Sequence, residues 1–484
     1  MTDTLPRVKT YQQFIDGSWV DSASGQTLAV QNPANGQVIA HVQASDAEDV
    51  DRAAKAAARA FETWRHTTPQ DRSLLLLKLA DAVEARADEL GRLESQNAGK
   101  PVGAAIDEIP VVVDNLRYFA GAGRTLEGKA VNEYVAERTS LIRREPVGVV
   151  ASIAPWNYPI MMAGWKIGPA LVAGNTVILK PSSRTPLTAL VLAEIAADIL
   201  PPGVLNVISG TGATIGDPLV GHPLVGMISV TGDTDTGKHI ARIAADRVKR
   251  LHLELGGKAP VIVFDDADVD AVIENLKTFS YWNGGQDCTA PCRVLAGPRI
   301  YERFVADLAD QVKTIKWGDP AEGDDIEMGS LIAKAQADKV EGMVARADGG
   351  AGGAQIVAGG HRPDRPGAYF EPTVIAGPGQ DSEIVQDEVF GPVVTVQRFT
   401  DEEQAITWAN DVRFGLAASV WTSDVARGLR VAKAIQFGTV WVNDHFTLVS
   451  EMPHGGFKES GYGKDQSMYA IEDYTVVKHV MIKL

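Results

Sequence analysis

The sequence predicts an α/β protein with two doubly wound parallel sheets and a small projecting β sheet, and three observations carry that reading. After Gly148, short apolar runs alternate with helical stretches: Val149-Val-Ala-Ser-Ile-Ala154, Thr176-Val-Ile-Leu-Lys180, Leu205-Asn-Val-Ile-Ser209 and Gly226-Met-Ile-Ser-Val230. Runs of that length, apolar on both faces, belong inside a parallel sheet covered by helices. The alternation restarts at Ala259, with strands expected at 261–264, 367–374, 393–396 and 418–421. Two segments outside this rhythm, 124–146 and 466–484, alternate like exposed strands. The 484 residues, 45% of them hydrophobic, have room for two Rossmann-like units, expected at 1–123 with 147–256 and at 257–465.

From the N-terminus, Phe14-Ile-Asp-Gly-Ser-Trp-Val20 is expected to form a hairpin turning at Asp16-Gly17. Asn32-Pro33 and Asn35-Gly36 mark further turns. Ser45-Asp-Ala-Glu48 has capping-box spacing, and an Ala-rich helix should run from it to about Trp64. Thr68-Pro69 starts a second helix, with Leu74, Leu75, Leu77, Leu79 and Val83 as its apolar face. A third is expected over 106–122, carrying Asp107, Glu108 and Asp114. Two strands within 124–147, one containing Arg138-Thr-Ser-Leu-Ile-Arg-Arg144, should join Asp473-Tyr-Thr-Val-Val-Lys-His-Val-Met-Ile-Lys483 in the projecting sheet. Its last strand would be an edge that prefers a partner, which suggests oligomerisation; packing on its own chain is the alternative. The glycines of 349–353 read as a surface turn, since no Lys-Ser/Thr follows as in a phosphate loop.

The chain carries 46 basic and 62 acidic residues, a net charge of −16. That argues against sequence-independent nucleic-acid binding, which needs clustered Lys and Arg. No run approaches the ~18 apolar residues of a membrane span. Met1-Thr-Asp-Thr-Leu-Pro6 lacks the basic-then-apolar order of a signal peptide. Cys288 and Cys292 are the only cysteines, too few and too close for a disulfide framework, and no His cluster supports a zinc site. A cytoplasmic, metal-free protein in a reducing compartment is the simplest expectation.

Chemistry concentrates in Trp282-Asn-Gly-Gly-Gln-Asp-Cys288. Paired glycines permit backbone geometry that lifts a following thiol into a cleft, although cysteines are more often buried and inert. As a nucleophile the thiol must be ionised, so a base or a lowered pKa is required. Leu253-Glu-Leu-Gly-Gly-Lys258 places a carboxylate, Glu254, before a second paired-glycine turn, a candidate base for hydrolysing a thioester. Pro155-Trp-Asn-Tyr-Pro159 ends the first core strand and holds Asn157, whose amide can donate to an oxyanion. Ile228-Ser-Val-Thr-Gly232-Asp-Thr-Asp-Thr-Gly237 is a strand, a turn and a helix start, a place for a pyrophosphate.

With Lys180-Pro-Ser-Ser183, Glu388-Val-Phe-Gly-Pro392 and Pro453-His-Gly-Gly-Phe-Lys458, these motifs stand at the order and spacing of the aldehyde dehydrogenase superfamily, which the chain resembles from about Phe14 to its end. The resemblance implies NAD(P)+-dependent oxidation of an aldehyde to a carboxylate. Its first unit would then be a dinucleotide-binding domain, its second a catalytic domain, and 124–146 with 466–484 the oligomerisation sheet of a homodimer or homotetramer. Cys288 would be the nucleophile, Asn157 and the Cys288 N–H the oxyanion donors, and Glu254 the base; Lys166 and Asp465 match a proton relay of some members. Lys180 would bind the adenine-side ribose, Glu388 the nicotinamide ribose, and Phe390 would flank the nicotinamide. Trp156, Ser182, Ser183, Arg184, Gly232, Asp233, Gly237 and Leu255 match further cofactor positions.

Two positions depart from the family pattern. A ribose-chelating Glu is common where Ser183 stands, and Arg184 follows it; losing a carboxylate and gaining a guanidinium favours a 2′-phosphate, hence NADP. Asp233 puts an acid where a small hydroxyl residue is usual. Within the superfamily the chain looks most like bacterial 4-aminobutyraldehyde dehydrogenases, in Asp107-Glu-Ile-Pro110, Val449-Ser-Glu-Met-Pro-His-Gly-Gly456 and the tail Glu472-Asp-Tyr-Thr-Val-Val477. An ω-amino aldehyde carries a cation, so its tunnel should offer aromatic faces and carboxylates. Tyr158, Trp165 and Trp282 match tunnel positions, with Asp107, Glu108 and Asp114 on one flank and Glu451 and His454 on the other. A betaine-aldehyde or broad-specificity aldehyde dehydrogenase is the alternative.

Overall fold

The computed structural model describes residues 8–350 and 353–484. The signal-peptide reading of residues 1–6 and the middle of the turn at 349–353 lie outside the described residues.

Five parallel strands form the centre of the first large sheet, in the order Arg250–Glu254, Val225–Thr231, Val149–Ile153, Thr176–Lys180, Leu205–Val207. The chain enters at Val149–Ile153, winds outward to Leu205–Val207, then returns to the other side. The order therefore reverses beside Val149–Ile153, and ligands of doubly wound sheets bind outside the carboxyl ends of strands at such a reversal. Asn157, Lys180 and Glu254 all stand at those ends. The hairpin Gln13–Ile15/Ser18–Val20 adds antiparallel strands at one edge, turning through Asp16 and Gly17, both at positive φ as its tight turn requires. At the opposite edge Gly461–Tyr462 pairs with Leu253 and Glu254.

The helix Pro159–Val172 is buried along its whole length, which explains its near-continuous apolar sequence and makes Lys166 within it conspicuous. The second sheet is ordered Gln355–Ala358, Thr373–Ala376, Val393–Arg398, Pro291–Ala296, Ala259–Val263, Ala417–Trp421, Thr439–Val442, parallel except at its first pair. Its central strand Pro291–Ala296 and its edge Thr439–Val442 were not among the expected strands, and the 367–374 run becomes a strand only from Thr373. Cys288 and Glu388 precede strands of this sheet, so its amino ends face the carboxyl ends of the first.

The projecting sheet is Thr475–Lys483, Arg138–Pro146 and Val131–Val135, antiparallel throughout, as the alternation predicts. A smaller sheet joins Thr10–Tyr11, Val38–Gln43 and Thr27–Gln31. Among the described residues no helix is long and apolar enough to cross a membrane, and no His, Cys, Asp and Glu cluster could hold a metal ion.

Three local expectations need correction. The first helix, Ala47–Trp64, is capped by Asp46 with Asp49, not by Ser45 with Glu48. Ser45 instead donates to Gln13 Oε1 at 2.6 Å, so tertiary pairing takes the hydroxyl and shifts the box by one residue. In the second helix, Pro69–Glu84, Leu74 and Leu77 are exposed and Leu76 is buried, because Ser73, Leu76, Ala80 and Val83 share the inner stripe. The third expected helix starts earlier, at Val102, and an unexpected helix, Ala87–Ala98, precedes it and ends at Gly99 in the left-handed conformation.

Candidate active site

The loop before Cys288, the candidate nucleophile, is held by contact and by unusual backbone. Asn283, Gly284 and Gly285 all have positive φ, which turns the chain sharply before Cys288. A Cβ at Gly285 would overlap the Gly391 carbonyl, and one at Gly257 the Cys288 carbonyl. The two glycine motifs read from the sequence are therefore close-approach points that bring Cys288, Glu254 and the 388–392 loop together.

Asn157 is locked into the same loop. Its carbonyl accepts from Asn283 Nδ2 and from Lys100 Nζ, both at 2.9 Å. Its Nδ2 donates to the Gln286 carbonyl at 3.0 Å, which uses one of the two amide hydrogens and leaves the other for a ligand. Gln286 is itself tied to Asn283 and to the Ile332 N–H. Lys100 spends its remaining donors on the two Glu108 oxygens, at 2.7 and 2.9 Å, and sits 4.5 Å over the Tyr158 ring.

These residues wall a cavity of ≈ 200 Å³. Cys288, Glu254 and Asn157 line it together, with Asp287 and Thr289 beside the thiol. Tyr158, Trp165 and Trp282 supply aromatic faces, and Asp107, Glu108, His454 and Asp465 also reach it. Asp114 and Glu451 do not. Asp114 is exposed and accepts from Ser450 Oγ at 2.7 Å, and Glu451 is exposed outside the wall. Glu108 is buried and bound to Lys100, so Asp107 is the exposed carboxylate of the expected three that lines the cavity. Met161, Met162, Phe446 and Leu448 complete the apolar wall. Sequence reading did not assign them, nor Asp287, Lys100 or Asn283. The bonds from Asn157 to Asn283 and Gln286 could not be found from spacing because they join segments more than a hundred residues apart.

Electrostatics make the site reluctant to ionise. Burial, together with Asp287 and Glu254, pushes the Cys288 thiol well above its ordinary range. Burial, reinforced by Asp465, does the same to the Glu254 carboxyl. Burial also raises Glu108 to about 8 and lowers His454. Lys166 is fully buried, lies 4.0 Å from Asp465 and donates to Ser229 Oγ at 3.3 Å; burial lowers it.

The residues expected to hold a cofactor lie along the ends of both sheets. Glu388 accepts the Gly257 N–H at 2.7 Å, and burial raises it to about 7. Phe390, at positive φ, packs edge-on against Trp156 with ring centres 5.2 Å apart. Gly232 donates its N–H to the Glu254 carbonyl, and a Cβ at Gly237 would press within 2.6 Å of Leu255. Lys180 is buried with only a 3.4 Å bond to the Pro181 carbonyl, and burial pulls it down to about 8. Ser182 Oγ accepts the Arg184 N–H; Ser183 and Arg184 rim an open cleft, and among the described residues Arg184 has no ion-pair partner. Asp233 is the N-cap of the helix Thr234–Ala245, accepting from Thr236 N at 2.9 Å and Thr236 Oγ1 at 2.6 Å. A buried, donor-rich lysine and an anchored carboxylate on one edge fit a dinucleotide carrying ribose hydroxyls. Asp233 occupies the helix terminus that a pyrophosphate would otherwise share.

Comparison with known proteins places the chain in a family. The profile of the aldehyde dehydrogenase family matches residues 19–480. A betaine aldehyde dehydrogenase of Bacillus subtilis is 39% identical over 474 residues, covering 96% of each chain. An aldehyde dehydrogenase of Emericella nidulans is 40% identical, covering 100% of this chain and 99% of its own. The crystal structure of a Staphylococcus aureus betaine aldehyde dehydrogenase in complex with NAD+ is 40% identical, with a TM-score of 0.95 over 98% of this chain and 95% of that one. These relatives carry betaine or general aldehyde dehydrogenase names, not that of an aminobutyraldehyde enzyme. The chain belongs to the aldehyde dehydrogenase family and is an oxidoreductase acting on aldehydes.

Proposed function

We propose that the protein oxidises a small ω-amino aldehyde such as 4-aminobutanal to its carboxylate, with NADP+ used as well as or in preference to NAD+. The observation that carries the reading is the convergence of Cys288, Asn157 and Glu254 on one cavity that is also lined by aromatic side chains and by Asp107. Cys288 loses its thiol proton to water and attacks the aldehyde carbon as the thiolate, and the resulting oxyanion is held by the free Asn157 amide hydrogen and the Cys288 backbone N–H. The nicotinamide cofactor, when bound, accepts the hydride that converts the thiohemiacetal to a thioester. Lys180 and Glu388 orient that cofactor through its two riboses, with Phe390 and Trp156 beside its reactive end. Glu254 removes a proton from water as it attacks the thioester, which frees the carboxylate and returns Cys288 to a thiol. The proton leaves Glu254 through Lys166 and Asp465.

The substrate reading rests on cation recognition. Tyr158, Trp165 and Trp282 present π faces, and Asp107 supplies a negative charge where the amine would sit. Ser183 and Arg184 support NADP+, since neither repels a 2′-phosphate. A second reading, betaine aldehyde, is favoured by the names of the relatives and by the same aromatic faces, which suit a trimethylammonium group. Initial rates with 4-aminobutanal, betaine aldehyde and butanal, each with both cofactors, decide between them. The amino aldehyde should lead by about tenfold in kcat/KM over butanal, a margin typical of one desolvated cation–π contact. Equal rates would make the enzyme a broad-specificity one, and a hundredfold preference for NAD+ would refute the cofactor reading.

A further inference from the structure

The peptide between Asn157 and Tyr158 joins two walls of the cavity. Asn157 carries the amide read above as an oxyanion donor, and the Tyr158 ring is one of the aromatic faces. This peptide falls between the strand Val149–Ile153 and the helix Pro159–Val172, so neither element fixes it. The Tyr158 carbonyl accepts the Met162 N–H and enters the helix. The Asn157 carbonyl is reached by no backbone N–H among the described residues. Its partners are two side chains, Lys100 Nζ and Asn283 Nδ2, each at 2.9 Å. A buried carbonyl has to be paired, so these two donors set how the peptide is turned, and with it the direction in which the Asn157 side chain leaves the backbone.

Lys100 is an unexpected residue for this task. Its side chain is fully buried, and an ammonium offers three N–H donors and no acceptor. All three are engaged, two by the Glu108 oxygens at 2.7 and 2.9 Å and one by the Asn157 carbonyl. The same ammonium stands 4.5 Å over the Tyr158 ring, so it holds both residues of the dipeptide. Burying a lysine with a glutamate costs free energy, and a well-packed apolar pair of similar volume is often as stable or more so. What an apolar pair would lack is a donor for the Asn157 carbonyl.

The lysine is itself fixed from behind. The helix Ala87–Ala98 ends at Gly99, where φ is 78° and a Cβ would overlap Ser330 Oγ. The Gly99 carbonyl accepts the Ser330 N–H at 2.9 Å. Two residues on, the Ile332 N–H holds Gln286, whose carbonyl accepts Asn157 Nδ2. Both ends of Asn157 are therefore referenced to one segment, its carbonyl through Lys100 and its amide through Gln286. Ser95 Oγ donates to the Lys100 carbonyl at 2.7 Å, and Pro101 disfavours a helical turn at Lys100. Glu94, on the same helix, accepts the Ile160 N–H at 3.3 Å and so holds the first turn of the helix that Tyr158 opens.

We infer that Lys100 is a positioning residue for the oxyanion donor: by holding the Asn157 carbonyl it aims the free amide hydrogen of that side chain at the oxygen of the aldehyde, and Glu108 keeps the ammonium in place. This rests on reading Asn157 as the donor. Lys100 does not line the cavity and acts through Asn157.

The test is a double-mutant cycle on the full-length enzyme. Lys100→Met, Asn157→Ala and the two together are compared with the wild type in the rate of cofactor reduction during the first turnover, at saturating aldehyde and cofactor. Lys100→Met should slow this step about thirtyfold, since misplacing a reacting group by about an ångström can cost on the order of a hundredfold. Asn157→Ala should slow it by at least about a hundredfold, as loss of an oxyanion donor does. In the Asn157→Ala background Lys100→Met should add less than about a twofold loss, because the group it aims is gone. The dissociation constant for the cofactor, titrated without aldehyde, should match the wild type, whereas a general loosening of the fold would weaken it. Lys100→Met combined with Glu108→Gln leaves no buried charge unpaired, and the cycle repeated on that pair decides the matter if Lys100→Met alone fails to fold. Equal fold losses with and without the Asn157 side chain, or a wild-type first-turnover rate in the folded Lys100 variants, would overturn the inference. A wild-type rate in Asn157→Ala would overturn the oxyanion reading itself, whatever the Lys100 variants do.

Discussion

At the scale of single residues, burial and neighbouring carboxylates disfavour charge on Cys288 and Glu254. Asp287 and Glu254 crowd a thiol that burial already keeps protonated, and Glu254 in turn is raised by burial and Asp465. A thiol held above its ordinary range loses its proton only as pH rises, so on the proposed mechanism kcat/KM should climb from pH 6 toward pH 9 at a rate of up to about tenfold per unit. A flat profile across that range would show that a thiolate exists at rest. Replacing Cys288 by Ala should cut kcat by at least ~10³ without loss of folded protein, as removal of a covalent nucleophile does. Among the acids, Asp107→Asn should lower kcat/KM for 4-aminobutanal about fivefold and leave butanal unchanged, the modest effect of a partly solvated charge. Asp114→Asn should change neither, because its carboxylate is exposed and bound to Ser450.

At the scale of elements, capping decides two outcomes. Asp46 closes the box on Ala47–Trp64, so Asp46→Ala should cost ~1 kcal/mol in denaturant unfolding, whereas Glu48→Gln should cost almost nothing. Asp233 caps Thr234–Ala245 with both carboxylate oxygens engaged by Thr236, which keeps the acid turned onto its own helix. That accounts for an acid beside a phosphate site better than a direct role would. On the proposed reading the cofactor depends more on the strand end at Lys180 and the residues after it. Arg184→Glu should raise the KM for NADP+ roughly tenfold and affect NAD+ little, the result of reversing a charge beside a 2′-phosphate.

At the scale of the whole molecule, the projecting sheet leaves Val131, Tyr134, Val135, Val476, Val477, Met481 and Ile482 exposed on its two outer strands. Several apolar side chains together on one small sheet fit a surface covered by another copy of the chain. Val477→Lys with Met481→Lys should reduce the particle mass measured by light scattering toward that of one chain, with the secondary structure retained. An unchanged mass would place the assembly contact elsewhere.

Much of this architecture was legible because it depends on local rules. Buried parallel strands write themselves as apolar runs, the hairpin at Asp16-Gly17 as a turn dipeptide, and the nucleophile and base as reactive residues flanked by paired glycines. From such features the sequence by itself determined the fold class and the projecting sheet, and it singled out Cys288, Glu254 and Asn157, which the fold brings to one cavity. Tertiary structure decided the rest. Ser45 lost the capping role to Asp46 because Gln13 claims its hydroxyl. Glu108 left the tunnel's charge to Asp107 because Lys100, reaching under Asn157, takes both its oxygens. Hydrogen bonds and ion pairs between distant segments compete for the same few polar atoms, and only the folded chain shows which partner wins.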